Sequence, residues 1–229
     1  MSSLLKTPNL VVALDGPAGA GKSTVARMAA HALGLTLLDT GAMYRCVGLA
    51  CLRAGLNLED SHSTSELGQT LDIQFQAGDP QRVLLNSEDV TDAIRTPEVS
   101  QAASKVSTHS AVRRDLVRRQ KALVAQGGCV LEGRDTTTVV APEAQVKIFL
   151  TASVEERARR RWVELSDKGA SMSLQEVVLD VISRDYRDYT RADSPLALGE
   201  DVTLLETFGL APDEVAKKVI TYAEAVGRM

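Results

Sequence analysis

A chain of 229 residues with 44% hydrophobic and 24% charged content is long enough to bury one sizeable core, with or without inserts, and too apolar to be disordered. Its net charge of −4 argues against general nucleic-acid binding through a basic surface, although the 26 basic residues are mostly arginine, concentrated after Arg113, which suits local capture of a small anionic ligand. Cys46, Cys51 and Cys129 are odd in number and lack metal-ligand spacing, and residues 1–9 hold no long apolar run, so the expectation is a cytoplasmic protein with free thiols, no signal peptide and no membrane helix.

Leu10 to Leu14 reads as a buried strand that runs into a glycine-rich turn and then into a helix opening at Lys22. Between them, Gly16-Pro17-Ala18-Gly19-Ala20-Gly21-Lys22-Ser23 fits GxxxxGK[ST] with strand and helix on the correct sides. Glycines 16, 19 and 21 let successive N–H groups curl around a polyphosphate, and the helix start adds unpaired amides and the positive end of its dipole. Residues Gly16 to Thr24 are therefore expected to cradle a nucleotide's phosphates, with Lys22 on the β and γ phosphates and the Ser23 hydroxyl on magnesium.

Residues 22 to 33 repeat apolar groups at helical spacing, and Gly34 stops that helix. A strand at Thr36 to Leu38 leads to Asp39-Thr40 and a helix reaching about Ala54; the Asp-Thr pair suits either the ligand edge of a parallel sheet or a plain helix cap. From Ser61 to Thr96 the pattern changes. Leu71, Ile73, Phe75 and Ala77 alternate with polar residues, Gly78-Asp79-Pro80 reads as a turn, and Arg82 to Asn86 as the returning partner, giving an antiparallel insert. That insert suits part of an acceptor site or a structural elaboration.

Residues 98 to 108 and 111 to 126 read as two helices ending at Gly127-Gly128. The apolar strand Cys129 to Leu131 then delivers Glu132-Gly133-Arg134-Asp135, where a carboxylate can hold magnesium-bound water. Val146 to Leu150 is a further strand. Ser153 with Glu156 reads as a capping box for a helix carrying Arg157, Arg159, Arg160 and Arg161, on which Trp162 is taken as a packing residue. A second capping box, Ser173 with Glu176, opens a helix with Val177, Val178, Val181 and Ile182 inside and with Arg184, Asp188 and Arg191 on one face, either as ligand groups or as an ion-pair ladder. Val202 to Leu205 is the last strand, and Pro212 starts a closing helix with Val215, Val219 and Ile220 inward. His31, His62 and His109 form no ligand pattern and read as surface or packing residues. Five apolar strands alternating with helices predict a doubly wound α/β core with an antiparallel insert.

Taken together, GPAGAGKST, LLDTGAMYR, the insert, EGRDTTTVV, KIFLTASVEERARRR and RDYRDYTRADSPL resemble, in order and over nearly the whole chain, the bacterial cytidylate kinases, P-loop nucleoside monophosphate kinases. The resemblance implies transfer of the ATP γ-phosphoryl group to CMP or dCMP with Mg2+, for pyrimidine nucleotide supply. It implies a P-loop core over approximately 8–60, 110–152 and 198–229, an NMP-binding insert over 61–109 and a short lid over 153–197. Position by position, Arg45 and Arg134 resemble acceptor-phosphate ligands; Ser104, Arg113 and Asp135 residues that read cytosine; Arg184 and Asp188 residues that hold the ribose; and Arg191 an arginine bridging the phosphates. Arg157 and Arg161 belong to the lid and, with Lys22 and Arg191, form the implied catalytic set, while Asp39 and Thr40 line the acceptor cleft. The implied protein is a monomer acting on small molecules, with no nucleic-acid or membrane partner. Thr137 stands where members commonly carry glycine, and Leu205 to Leu210 departs from the family's threonine-rich ending. Rival readings are a P-loop kinase with another acceptor, such as UMP, and a nucleotide-binding switch, against which no NKxD string is present.

Overall fold

Successive side chains of a strand point to opposite faces, so a strand covered on both faces must be apolar throughout. β1 (Val11–Asp15) meets this condition: Val12 and Leu14 enter one core while Val11 and Ala13 enter another. The computed structural model describes residues 9–76, 78, 81–167 and 169–227. In it β1 is the centre of a parallel five-stranded sheet whose other strands are β2 (Thr36–Asp39), β6 (Cys129–Glu132), β7 (Val146–Thr151) and β8 (Thr203–Glu206), in the order β2-β6-β1-β7-β8.

One face is covered by α1 (Lys22–Leu33) and α8 (Pro212–Gly227), whose Val25, Ala26 and Ala29 meet Val215, Ala216 and Val219. Small residues let these two helices approach closely. On the opposite face, Val11, Ala13 and Leu131 pack with Val140 and Ala141 and with Val117 and Val124 of α5 (Ser110–Val124). This is the doubly wound arrangement that the alternation of apolar strands and helices predicts.

A third core joins α2 (Thr40–Arg53), α3 (Ser61–Thr70), α4 (Pro97–Val106) and α5 to an antiparallel sheet of β3 (Ile73–Gln76), β4 (Arg82–Leu85) and β5 (Glu88–Asp89). α2 crosses α4 at Gly48, where an added Cβ would lie 2.8 Å from Ala103 N. A fourth, smaller core holds α6 (Val154–Asp167) to α7 (Leu174–Thr190) through Ala158, Leu165, Val177 and Val181.

Element ends differ from the sequence-based ones by one or two residues. α3 is an addition. It buries only Thr64, Ser65 and Gly68 and opens on the Asp60 carboxylate, which accepts the His62 and Ser63 amides, so it has no apolar period to read. Ile182 and Trp162 are corrected: they are 47% and 37% exposed, since α7 has only one covered face and the indole donates to Met172 O at the surface. The Ser173 capping box forms, whereas Ser153 Oγ accepts the Glu156 amide but the Glu156 carboxylate is taken by Arg159 and Arg160. In the expected turn, Asp79 and Pro80 lie outside the described residues, as does Ala77. The three cysteines are buried free thiols, and burial pushes Cys46 up to about 12. Among the described residues no helix is long and apolar enough to cross a membrane.

Candidate active site

All five parallel strands end at one edge of the sheet, where the loop after β1 meets the loop after β6. The loop after β1 is closely fitted. Gly16, at φ +144, has space for no Cβ, which would fall 2.0 Å from Leu150 O; at Gly19, φ +77, it would fall 2.7 Å from Arg157 O. Gly21, at φ +91, begins α1. Asp15 anchors the strand end. Its Oδ1 accepts the Thr136 N–H and hydroxyl at 2.9 and 2.8 Å, and its Oδ2 the Thr137 N–H and hydroxyl at 2.7 and 2.6 Å. Burial pushes the Asp15 carboxyl up while these four donors pull against it. They also hold a π-helical turn, Thr136–Val140, directly behind Arg134 and Asp135.

Lys22 is buried and its Nζ donates to Pro17 O at 2.8 Å. Burial, then the Arg134 guanidinium, lowers its ammonium to about 7. Beside it, burial and then the neighbouring Asp39 raise the Glu132 carboxyl, against the pull of Lys22 and Ser23. A hydroxyl and a carboxylate are hard oxygen donors, and magnesium needs only one or two of these when phosphates and water complete its shell. The residues present fit magnesium in that mode. A closed protein cage is not on offer, since among the described residues no three His, Cys, Asp or Glu side chains are grouped for a metal.

From here one cleft of about 1070 Å³ extends to α4 and α7. Asp39 caps α2 by accepting the Ala42 amide and pairs with Arg45, while Thr40 Oγ1 donates to Glu132 O at 2.7 Å. Arg134 Nε donates to Asp188 Oδ2 at 2.8 Å, and Arg191 approaches Asp188 at 3.4 Å and Asp135 at 3.9 Å. Arg113, buried, donates to Asp135 Oδ2 at 2.6 Å and to Ser107 O at 3.2 Å, with its guanidinium 5.3 Å above the Tyr44 ring. Burial, then Arg134, lowers Arg184 to about 10. Loop amides at one end and a buried Arg–Asp pair at the other, with arginines between, leave room and charge for two anionic ligands.

The sequence profile of cytidylate kinase matches residues 12–225. The chain belongs to the cytidylate kinase family. It is 51% identical over 218 residues to the cytidylate kinase of Carboxydothermus hydrogenoformans, covering 95% of this chain and 97% of that one. With the cytidylate kinase of Desulforamulus reducens it shares 46% over 218 residues, covering 95% and 98%. A solved structure of an uncharacterized protein from Eubacterium ventriosum superposes with a TM-score of 0.51 at 11% identity, covering 94% of this chain and 99% of that one, which speaks to the fold alone. As a cytidylate kinase family member the chain is a phosphotransferase.

Within this cytidylate kinase fold the cleft is lined by Ala18, Gly19, Ala20, Gly21, Lys22, Ser23 and Thr24, by Asp39, Thr40, Arg45, Ser104, Arg113, Arg134 and Asp135, and by Arg161, Arg184, Asp188 and Arg191. Gly16, Pro17 and Arg157 are not in its wall. Arg157 is buried behind the loop, donating to Ala152 O and Ala18 O at 3.0 Å each and pairing with Asp185 at 2.7 Å. Arg160 and Thr207 are additions to the wall: Arg160 donates to Thr207 Oγ1 and O at 2.9 and 2.8 Å and to Glu156 at 2.7 Å. Segment 205–210 contributes Thr207, Gly209 and Leu210 to the wall, and only three-dimensional contact marks them. Thr137 supplies two of the four bonds to Asp15.

Proposed function

We propose that the chain transfers the γ-phosphoryl group of ATP to CMP or dCMP, giving ADP and the nucleoside diphosphate, as a cytoplasmic monomer on small-molecule substrates. The observation that carries this reading is the single cleft joining the glycine-rich loop to the buried Arg113–Asp135 pair. Loop amides and Lys22 hold the β and γ phosphates; Arg45, Arg134 and Arg191 hold the acceptor phosphate; Ser104, Arg113 and Asp135 read the base; Arg184 and Asp188 hold the ribose. Ser23, and Glu132 through water, would hold magnesium, which would supply neutralisation of the phosphate charge. The acceptor phosphate oxygen is ionised at neutral pH, so its attack on the γ-phosphorus, with departure of ADP, needs no general base. The chain contributes alignment and charge complementarity to the developing negative charge. Residues 61–109 serve as the acceptor-binding insert and 153–197, with Arg161 facing the cleft, as a lid that excludes water.

Coupled ADP release with CMP, dCMP, UMP, AMP and shikimate as acceptors is the test, with CMP and dCMP expected to turn over fastest. Faster use of UMP overturns the cytosine reading. Titration of Arg113→Met with each ligand should show weakened CMP binding and retained ATP binding; equal losses make Arg113 structural.

A further inference from the structure

Arg187 belongs neither to the residues that the motifs single out nor to the wall of the cleft. Yet from the last turn of α7 its Nε donates to Ser104 Oγ at 2.9 Å, joining helices whose contacting residues lie 83 positions apart. Ser104 is buried near the end of α4, lines the cleft, and shares it with the paired Arg113 and Asp135. Arg187 itself is fixed from behind, since its carbonyl accepts the Arg191 amide at 3.1 Å and Asp188 follows it in the chain.

A serine hydroxyl carries one proton and two lone pairs and turns among three staggered positions. A guanidinium can only donate. Arg187 therefore occupies one lone pair, holds Oγ in one rotamer, and leaves the proton and second lone pair to meet a ligand in fixed directions. The bond is charge-assisted, hence stronger than a neutral one, and the planar guanidinium loses little freedom in making it. Without it, Ser104 would face every base with the same adaptable hydroxyl.

We propose that Arg187 is a positioning residue for choice of the acceptor base, acting through Ser104; this rests on the reading of Ser104 as a base contact. Steady-state kinetics of Arg187→Met, Arg187→Lys, Ser104→Ala and the Ser104→Ala/Arg187→Met double variant, with CMP, UMP and ATP varied in turn, test it. In Arg187→Met the KM for CMP should rise about tenfold, as for loss of one charge-assisted hydrogen bond. kcat and the KM for ATP should hold, and the preference for CMP over UMP should narrow. Arg187→Lys, which keeps a donor and the fold, should recover part of the loss. In the Ser104→Ala background Arg187→Met should add nothing.

Losses that add in the double variant, or that fall equally on kcat and on ATP, show Arg187 bracing α7 and overturn the inference while the base pocket stands. An unchanged Arg187→Met beside an impaired Ser104→Ala has the same meaning. If Ser104→Ala leaves CMP use intact, the base-contact reading falls and takes the inference with it.

Discussion

Four charges dispute the proton on Lys22. Burial is the largest influence and the Arg134 guanidinium the next, together lowering the ammonium to about 7, while the Glu132, Asp15 and Asp188 carboxylates pull it up. A polyphosphate in the loop adds anionic oxygens beside Nζ and raises it again. Above about 7 the complex then binds more protons than the free protein, so affinity for ATP should fall as pH rises toward the ordinary lysine value, by at most about tenfold per unit. Calorimetric titration with a nonhydrolysable ATP analogue in two buffers of different ionisation enthalpy reads the proton uptake directly. Uptake that stays at zero from about pH 7 to about pH 9 contradicts it. The place of Lys22 was legible because the motif fixes it relative to glycines a few residues away. Its depressed proton affinity was not, because Arg134 reaches it only through the pairing of β6 with β1.

At the scale of elements, Arg157 locks α6 to its surroundings: one guanidinium joins the glycine-rich loop, the end of β7 and Asp185 of α7. Removing it leaves a largely buried carboxylate unpaired, so Arg157→Met should lose about 3 kcal/mol of unfolding free energy in urea. Asp185→Asn combined with Arg157→Met should recover part of that loss, and an unchanged midpoint for Arg157→Met refutes the locking role. Sequence spacing put Arg157 beside Arg161 on one helix and nothing more, since an arginine run reads alike whether a member faces solvent or is folded inward. The apolar strands and α1 were legible because burial on a fixed period writes itself into the residues. α3 was not, having a capping aspartate and no period, and neither was the turn Thr136–Val140, whose shape depends on Asp15.

Across the whole molecule, what the sequence displays is the set of layers, and what it withholds is how distant segments are stitched together. Alternating apolar strands and helices implied a parallel sheet, but the order β2-β6-β1-β7-β8 is a matter of pairing between remote residues. The same holds for the joins across the cleft: Arg113 to Asp135, Arg134 to Asp188 and Arg187 to Ser104. The carboxylate of Asp15 is the join that bears on both ends at once. The Thr136 and Thr137 amides it receives are buried and cannot meet deuterated solvent while it stays seated. Their isotope exchange should therefore keep pace with the slow central strand β1 and lag far behind that of surface turns, so that the loops after β1 and after β6 open as one unit. Exchange at the pace of the periphery would mean two independently breathing halves.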